Sequence, residues 1–183
     1  MKEKILVIDD DKTLLKTLDK LLNKEGYQVS TANSSLDGID KVKGGFFDII
    51  ILDIRMPDMD GITLLKEIRE LQKGMLESIV IIVTGYASED VPIKAIKLKV
   101  DDYIMKPFEL DEFLHSVEKN IEICRLRNEK RKYLSELEEK NRELERSRGK
   151  YKNLVNSLIR VAWLRAGSEE VEKEVKRILK TIK

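Results

Sequence analysis

Short apolar runs alternate with amphipathic segments through the first two-thirds of the chain, and this alternation constrains the fold more than any other feature. The runs lie at residues 4–8, 27–32, 48–52, 79–83 and 102–105. Four of them are nearly continuous in aliphatic residues and Tyr, which is typical of parallel strands covered on both faces. The run at 27–32 is less apolar, which favours an edge strand. The alternation predicts an α/β fold with a doubly wound, five-stranded parallel sheet.

Chemically active side chains follow four of these runs at the point where each run ends. Asp9 and Asp10 follow the first run, Asp53 the third, Thr84 the fourth and Lys106 the fifth. Because ligands bind outside the carboxyl ends of strands in an open parallel sheet, these five side chains should meet at one edge. Three carboxylates that share a site need a cation to offset their charge, and Mg²⁺ prefers oxygen ligands. The pattern predicts a magnesium site for phosphoryl transfer.

Most of these signals also have an ordinary structural explanation when each is taken alone. Asp9 and Asp10 could belong to a polar loop in which Asp11 caps the following helix. Thr84 could simply end a strand. A carboxylate at Asp53 is harder to dismiss, because it follows four large aliphatic residues and is costly to bury unless it is paired or bound to a cation. Together, in one order along the chain, the signals are much stronger than apart.

Four stretches of the chain resemble the receiver domain of two-component response regulators. They are IDDD at 8–11, LDIRMPDMDG at 52–61, VTGYA at 83–87 and DDYIMKPF at 101–108. The resemblance implies a flavodoxin-like sheet in the order 2-1-3-4-5, which we assign to residues 1–122. It also implies a phosphoacceptor signalling protein rather than an ordinary enzyme, with a cognate histidine kinase or phosphotransfer protein as its partner.

The resemblance implies a catalytic or switching role for four residues. Asp53 would be the nucleophile that accepts the phosphoryl group from a phosphohistidine. Lys106 would neutralise one phosphoryl oxygen, and the hydroxyl of Thr84 would donate a hydrogen bond to another. Tyr103 would be the aromatic residue that turns inward as Thr84 is drawn towards the phosphate. These movements would relay phosphorylation to the rest of the chain.

The resemblance also implies a set of ligands for Mg²⁺. Asp10 would bind the ion directly and Asp9 through water, while Asp53 and the backbone carbonyl of Arg55 would complete the protein ligands. Tyr86 stands beside the expected position of the phosphate. We expect its bulk to slow the attack of water on the phosphorylated protein.

The chain changes character after Glu109, where the strand signals stop. Residues 109–148 contain no Gly and no Pro and are rich in Glu, Lys, Arg and Leu, which is typical of a long helix or coiled coil. We predict a coiled-coil helix at 123–149 that continues the last helix of the receiver-like part. The apolar residues and the Gly167 turn that follow predict a helical hairpin at 150–183.

A heptad pattern in the predicted helix favours self-association. Its a and d positions are Leu134, Leu137, Asn141, Leu144, Tyr151, Val155 and Leu158. We predict a parallel homodimer in which Asn141 fixes the register and Lys140 pairs with Glu145 of the second chain. The alternative is a solitary charged helix that lies on its own domain. Arg148 at an a position and Gly149 after it make the repeat imperfect.

Three functions are compatible with these observations. The first is a phosphorylation-activated response regulator whose output is protein–protein contact through the helical extension. The second is the N-terminal part of a larger sensor or hybrid kinase of the receiver–PAS type, because YKNLVNS at 151–157 resembles the opening of PAS domains. The third is a structural coiled-coil protein with an inert receiver, against which the complete acidic set argues.

Composition and charge bear on the partners and the compartment. The 35 Lys and Arg residues nearly balance the 34 Asp and Glu residues, so the net charge of +1 provides no general attraction to nucleic acid or anionic membranes. No helix-turn-helix signature follows the receiver-like part, and we expect no direct DNA binding. Cys124 is the single cysteine, and no apolar stretch approaches the roughly 18 residues that span a bilayer. We therefore expect a cytoplasmic protein without membrane contact.

Overall fold

The computed structural model describes residues 2–85, 100–166, 169 and 173–177. The strands are β1 (Lys4–Ile8), β2 (Gln28–Ala32), β3 (Ile49–Leu52), β4 (Ile79–Thr84) and β5 (Asp102–Met105). The helices with continuous bounds are α1 (Lys12–Lys24), α2 (Ser35–Gly44), α3 (Gly61–Leu71) and α4 (Leu110–Ala166). Each strand coincides with one of the apolar runs of the sequence.

The five strands form one parallel sheet in the order β2-β1-β3-β4-β5. This confirms the predicted fold, and the less apolar strand β2 lies at an edge as expected. The strands β3 and β4 are buried along their whole length because both faces of the sheet are covered. Sheets of this kind bring the carboxyl ends of their strands to one edge, where the candidate residues follow.

Alternate residues of each strand pack into cores on opposite faces of the sheet. Ile5 and Val7 of β1 pack in a cluster with Leu18 of α1 and Phe113 of α4. Leu6 of β1 packs on the other face, in a cluster that includes residues of α2 and α3. Each buried aliphatic side chain contributes about 1.5–3 kcal/mol by leaving water. The two cores fix the sheet, and through it the strand ends that carry the polar residues.

The loop between β1 and α1 ends in a capped helix. The Asp11 carboxylate accepts hydrogen bonds from the N–H groups of Thr13 at 2.8 Å and Leu14 at 3.1 Å. These bonds lower the pKa of Asp11, and they satisfy donors that the first turn of α1 cannot pair internally. Asp11 therefore caps α1, as the ordinary structural explanation of this loop had it, and the carboxylates of Asp9 and Asp10 do not take part in the cap.

The helix α4 is held against the amino-terminal edge of the sheet. Arg125 Nε donates to Glu3 Oε1 at 2.7 Å, and an Arg127 guanidinium nitrogen donates to Asp101 Oδ1 at 2.9 Å. Cys124 is buried beside these pairs, 3.6 Å from Asp48 Oδ1. Burial, with a smaller effect of Asp48, raises the pKa of the Cys124 thiol to about 11.

The long C-terminal helix of the prediction is present as α4, which runs without interruption from Leu110 to Ala166. The chain divides into two compact units, one ending at Asn128 and the other beginning at Glu129. The predicted turn around Gly167 lies outside the described residues, so the hairpin stays a prediction. The predicted segment boundaries at 122 and 149 also stay predictions. Within the described residues, no helix has an apolar stretch long enough to cross a membrane.

Candidate functional site

The carboxyl edge of the sheet positions the site residues through backbone hydrogen bonds that extend past the strand ends. The N–H of Asp9 donates to the carbonyl of Ala32 at 3.1 Å, and the N–H of Asp53 donates to the carbonyl of Ile8 at 2.9 Å. The N–H of Lys106 donates to the carbonyl of Thr84 at 2.9 Å. These main-chain bonds fix the backbone of each site residue independently of the contacts that its side chain makes.

Lys106 joins two of the acidic residues. Its Nζ donates to Asp9 Oδ2 at 2.6 Å and to Asp53 Oδ2 at 2.7 Å. Asp9 is 3% exposed and Asp53 is 6% exposed, so both carboxylates are nearly removed from water. Buried carboxylates are stable only when they are paired and hydrogen-bonded. Here the ammonium group of Lys106 pairs with both carboxylates. A cis peptide bond joins Lys106 to Pro107.

The other oxygen of each carboxylate is held by the backbone. The N–H of Arg55 donates to Asp53 Oδ1 at 3.0 Å, and the N–H of Asp11 donates to Asp9 Oδ1 at 2.9 Å. Both oxygens of Asp53 thus have a defined partner, one from the main chain and one from Lys106. A reactive carboxylate in this setting has one orientation rather than several rotamers.

The charges of the site do not balance. Burial raises the pKa of Asp9, although the hydrogen bonds from Lys106 and the Asp11 N–H oppose the rise. Burial lowers the pKa of Lys106, but its bonds to Asp53 and Asp9 outweigh that effect and raise it. Asp10 lies beside the pair and is exposed to solvent. The four side chains Asp9, Asp10, Asp53 and Lys106 therefore carry a net negative charge when all of them are ionised.

The geometry of the carboxylates fits a magnesium ion. One oxygen from each of Asp9, Asp10 and Asp53 lies within 4.8 Å of the other two. Direct ligands in an octahedral shell of radius about 2.1 Å are separated by roughly 3–4 Å, so carboxylate oxygens at this spacing can surround one ion, either directly or through a bound water. Asp10 is open to water, which offers a path of entry and room for the waters that Mg²⁺ keeps.

A family model, the response regulator receiver domain, matches residues 5–118. The chain belongs to this family. Receiver domains are signalling proteins rather than enzymes in the ordinary sense. The expected family and its fold are therefore confirmed, whereas the roles of the individual residues remain proposals.

Relatives of this receiver domain include larger proteins. The transcriptional regulatory protein ZraR of Klebsiella oxytoca is 41% identical over 108 residues, which make up 59% of this chain and 24% of ZraR. The chain thus spans about a quarter of the length of that relative.

Two solved structures of response regulators resemble this receiver domain along nearly their whole length. A CheY-like receiver domain protein of Methanospirillum hungatei is 32% identical with a TM-score of 0.65, over 69% of this chain and 99% of that one. The response regulator TrrA of Thermotoga maritima, solved in complex with Mg²⁺ and BeF, is 31% identical with a TM-score of 0.57. That similarity covers 64% of this chain and 98% of TrrA.

The two residues predicted to switch the receiver domain lie on adjacent strands. Thr84 is fully buried at the end of β4, and Tyr103 is half-buried on β5 opposite Ile82. Residues that are paired in a parallel sheet point to the same face, so Tyr103, Ile82 and Thr84 share one face. Tyr103 packs against a small cluster of Ile54, Ile62 and Ile82. Ile54 directly follows Asp53 in the sequence. Tyr86 lies outside the described residues.

Gly61 closes the stretch LDIRMPDMDG, in which Pro57 and Gly61 alone indicate only a turn. A Cβ atom at Gly61 would lie 2.5 Å from the Asp53 carbonyl oxygen and 2.6 Å from Ile54 Cα. The Gly61 N–H also donates to the Ile54 carbonyl at 2.8 Å. The backbone that carries Asp53 is therefore in direct contact with the start of α3, and only glycine leaves space for this approach.

Proposed function

We propose that this chain is a phosphorylation-activated response regulator in which Asp53 accepts a phosphoryl group from a histidine kinase or phosphotransfer protein. The observation that supports this most directly is the pair of hydrogen bonds from Lys106 Nζ to Asp53 and Asp9, at 2.7 and 2.6 Å. An ammonium group shared by a buried carboxylate nucleophile and a potential metal ligand is the arrangement that phosphoryl transfer needs.

Phosphorylation would proceed by in-line displacement at phosphorus. A carboxylate oxygen of Asp53 forms the new O–P bond as the P–N bond of the phosphohistidine breaks, and the imidazole leaves with the bonding electrons. The Arg55 N–H keeps its bond to the other Asp53 oxygen and so preserves the orientation of the nucleophile. Lys106 would transfer its bond from the Asp53 carboxylate to a phosphoryl oxygen, where negative charge accumulates.

The metal site would be formed by Asp10 directly, Asp9 through water, Asp53, and the backbone carbonyl of Arg55. Bound Mg²⁺ would offset the negative charge of the acidic site and of the phosphoryl oxygens. The oxygen ligands and their spacing suit this ion. The similar response regulator TrrA was solved in complex with Mg²⁺ and BeF, which supports the choice of Mg²⁺ as the ion.

The switch would follow from the new phosphoryl group. The Thr84 hydroxyl would be drawn towards a phosphoryl oxygen, and Tyr103, which packs on the same face, would move into the space that Thr84 leaves. A local change of charge would thus repack the surface of β4 and β5. The helix α4, which follows β5, would carry this change to its exposed extension.

The output would be a parallel homodimer or a partner complex formed by the extension of α4. Four of the predicted a and d residues of the heptad are each more than half exposed: Leu137, Leu144, Tyr151 and Leu158. Exposed apolar residues in a regular row are a surface that association removes from water. Asn141 would fix the register of the two helices. The absence of direct DNA binding and the cytoplasmic location stay predictions.

The proposal is tested by treating the chain with acetyl phosphate and Mg²⁺ and measuring its intact mass. We expect a gain of one phosphoryl group in the native protein and none in Asp53→Asn. Beryllofluoride with Mg²⁺ should change the molar mass measured by light scattering. It should otherwise change the nuclear magnetic resonance signals of Tyr103 and its neighbours. A native protein that stays unmodified, or is modified at a residue other than Asp53, would refute the assignment.

The alternative function is that the chain is the front part of a receiver–PAS sensor or hybrid kinase. The match to the receiver family ends at residue 118, and the helical region beyond it is available to connect a further domain. The length of the native gene decides between this alternative and a separate response regulator. Phosphorylation of Asp53 is expected in both cases.

A further inference from the structure

The loop that follows Asp53 is joined to the start of α2 by the carboxylate of Asp58. Asp58 Oδ2 accepts from the Ser35 N–H at 2.7 Å and the Leu36 N–H at 3.4 Å, and Oδ1 accepts from the Ser35 hydroxyl at 3.2 Å. The Ser34 hydroxyl accepts from the Asp37 N–H at 3.2 Å. Two residues of α2's first turn are thus bonded by a carboxylate that lies 23 residues away in the sequence.

Ser35 is the point at which the loop and the helix meet. It is fully buried, and its hydroxyl lies 3.5 Å from the Met59 carbonyl oxygen and 3.9 Å from Met56 Sδ. Burial acts to raise the pKa of Asp58, but the hydrogen bonds from Ser35 and Leu36 outweigh it and lower the pKa. The positive end of the α2 dipole favours the same ionised carboxylate.

The same loop is fixed at its two ends by hydrogen bonds to Asp53 and to Ile54, the residue that follows it. The Arg55 N–H donates to Asp53 at the start of the loop, and the Gly61 N–H donates to Ile54 at its end. Asp58 lies between these ends and bonds the middle of the loop to Ser35 and Leu36 of α2. Without it, the middle of the loop would lose its hydrogen bonds to α2 and gain conformational freedom.

We propose that Asp58 is a positioning residue for the metal site, because its bonds to α2 hold the loop that presents the Arg55 carbonyl to the ion. This inference rests on the proposed function, in which Arg55 supplies a main-chain ligand. Mg²⁺ requires nearly ideal octahedral geometry, so a displaced carbonyl costs affinity. Ca²⁺ accepts more ligands in flexible arrangements and tolerates the same displacement better.

The test is the dissociation constants of Mg²⁺ and Ca²⁺ measured by calorimetry for the native protein and Asp58→Ala. We expect the Mg²⁺ constant to rise about tenfold, as is usual when a residue that orients a metal ligand is removed. The Ca²⁺ constant should rise by a much smaller factor. An effect of charge or of general stability would weaken both ions equally, and that result would overturn the proposal.

Asp37→Ala is the matched control, because Asp37 lies in the same first turn of α2 but pairs with Lys41 and not with the loop. It removes the same charge and should change the Mg²⁺ constant less than twofold. An equal effect of both substitutions would contradict the proposal. Should Asp58→Ala fail to fold, Asp58→Asn serves instead, since its amide oxygen can still accept from Ser35. A rise of about tenfold in the Mg²⁺ constant of Asp58→Asn, which keeps an acceptor for Ser35, would count against positioning.

The failure of this inference is distinguishable from the failure of the proposed function. A native protein that binds no Mg²⁺, or binds it equally well after Asp10→Ala, would contradict the metal site itself. A native protein that binds Mg²⁺ through Asp10, with no effect of Asp58→Ala, would contradict only the role of Asp58. Amide hydrogen exchange at residues 54–60 in metal-free protein gives an independent readout, which we expect to be faster in Asp58→Ala.

Discussion

Asp102, the first residue of β5, accepts a hydrogen bond from the Ser116 hydroxyl of α4 at 2.9 Å. The same carboxylate oxygen also accepts from Asn120 Nδ2 at 2.9 Å and from Lys119 Nζ at 3.2 Å. The N–H of Tyr103 donates to the other oxygen at 2.9 Å. The edge strand β5, which carries the proposed switch residue Tyr103, is therefore joined to α4 by one carboxylate.

Asp102→Ala should destabilise the protein by about 1–3 kcal/mol at neutral pH, because buried donors of α4 lose a charged acceptor. Urea unfolding followed by far-ultraviolet circular dichroism measures this loss. Glu118→Ala is a suitable control, since Glu118 is exposed on the same helix. Equal stability of the two variants would contradict the importance of the Asp102 bonds.

The effect of Asp102 should depend on pH. Burial acts to raise its pKa, but hydrogen bonds from Tyr103, Ser116, Lys119 and Asn120 outweigh burial and lower it from the ordinary value of 3.8. A carboxyl group with a lowered pKa stabilises the fold above its ordinary pKa, and the contribution is lost as the pH falls through the lowered value. The stability difference between native protein and Asp102→Asn should therefore shrink in acid below 3.8. A difference that stays constant there would refute this expectation.

Lys106→Met should destabilise the metal-free protein by about 3 kcal/mol, because it leaves the buried carboxylates of Asp9 and Asp53 without their cation. Added Mg²⁺ should recover more stability in this variant than in the native protein, since the ion replaces the missing charge. Thermal unfolding with and without Mg²⁺ measures both effects. Lys66→Met, at an exposed position of α3, should change neither quantity. The idea fails if Mg²⁺ stabilises both variants equally.

Gly61→Ala should destabilise the fold by about 1–3 kcal/mol, because its Cβ would collide with the backbone of Asp53 and Ile54. Gly149→Ala offers the opposite comparison within α4, where a Cβ meets nothing within 4 Å. There the better helix former should stabilise the protein by about 0.5–1 kcal/mol. Urea unfolding of the two variants measures both changes. Similar effects of the two substitutions would show that the close approach at Gly61 does not matter.

Leu144→Asp should convert the proposed dimer to a monomer, because it places a charge in the apolar seam of the two helices. Analytical ultracentrifugation across a range of concentrations provides the measurement. Leu36→Asp is the matched control, since Leu36 on α2 is 63% exposed and Leu144 is 66% exposed. A native protein that sediments as a monomer at high concentration would contradict the dimer directly.

The sequence was sufficient to predict the sheet and the meeting of Asp9, Asp53 and Lys106. Strand ends are marked locally by apolar runs, and the topology of a parallel sheet then brings those ends to one edge. The bond between Asp58 and Ser35 was not predicted. It depends on where the start of α2 lies relative to a loop 23 residues away, and neither residue has a local pattern that reveals its partner.

The close approach at Gly61 escaped prediction for a related reason. A glycine after Asp60 is explained equally well by a turn, and only coordinates reveal the contact with the Asp53 backbone. The heptad of α4 was readable as a pattern, and the exposure of Leu137 and Leu144 agrees with it. The heptad pattern indicates which side chains form the apolar seam. It does not indicate which chain packs against that seam, because the packing partner is a second molecule.

The burial of Cys124 has a practical consequence for experiments on this protein. The thiolate is the form that attacks thiol reagents. A thiol with a pKa of about 11 is almost entirely protonated at neutral pH. The native cysteine should therefore remain unmodified while a cysteine introduced at Leu137 or Leu144 is spin-labelled or oxidised to an interchain disulfide. Helix register can accordingly be mapped in the natural sequence background, without first substituting Cys124.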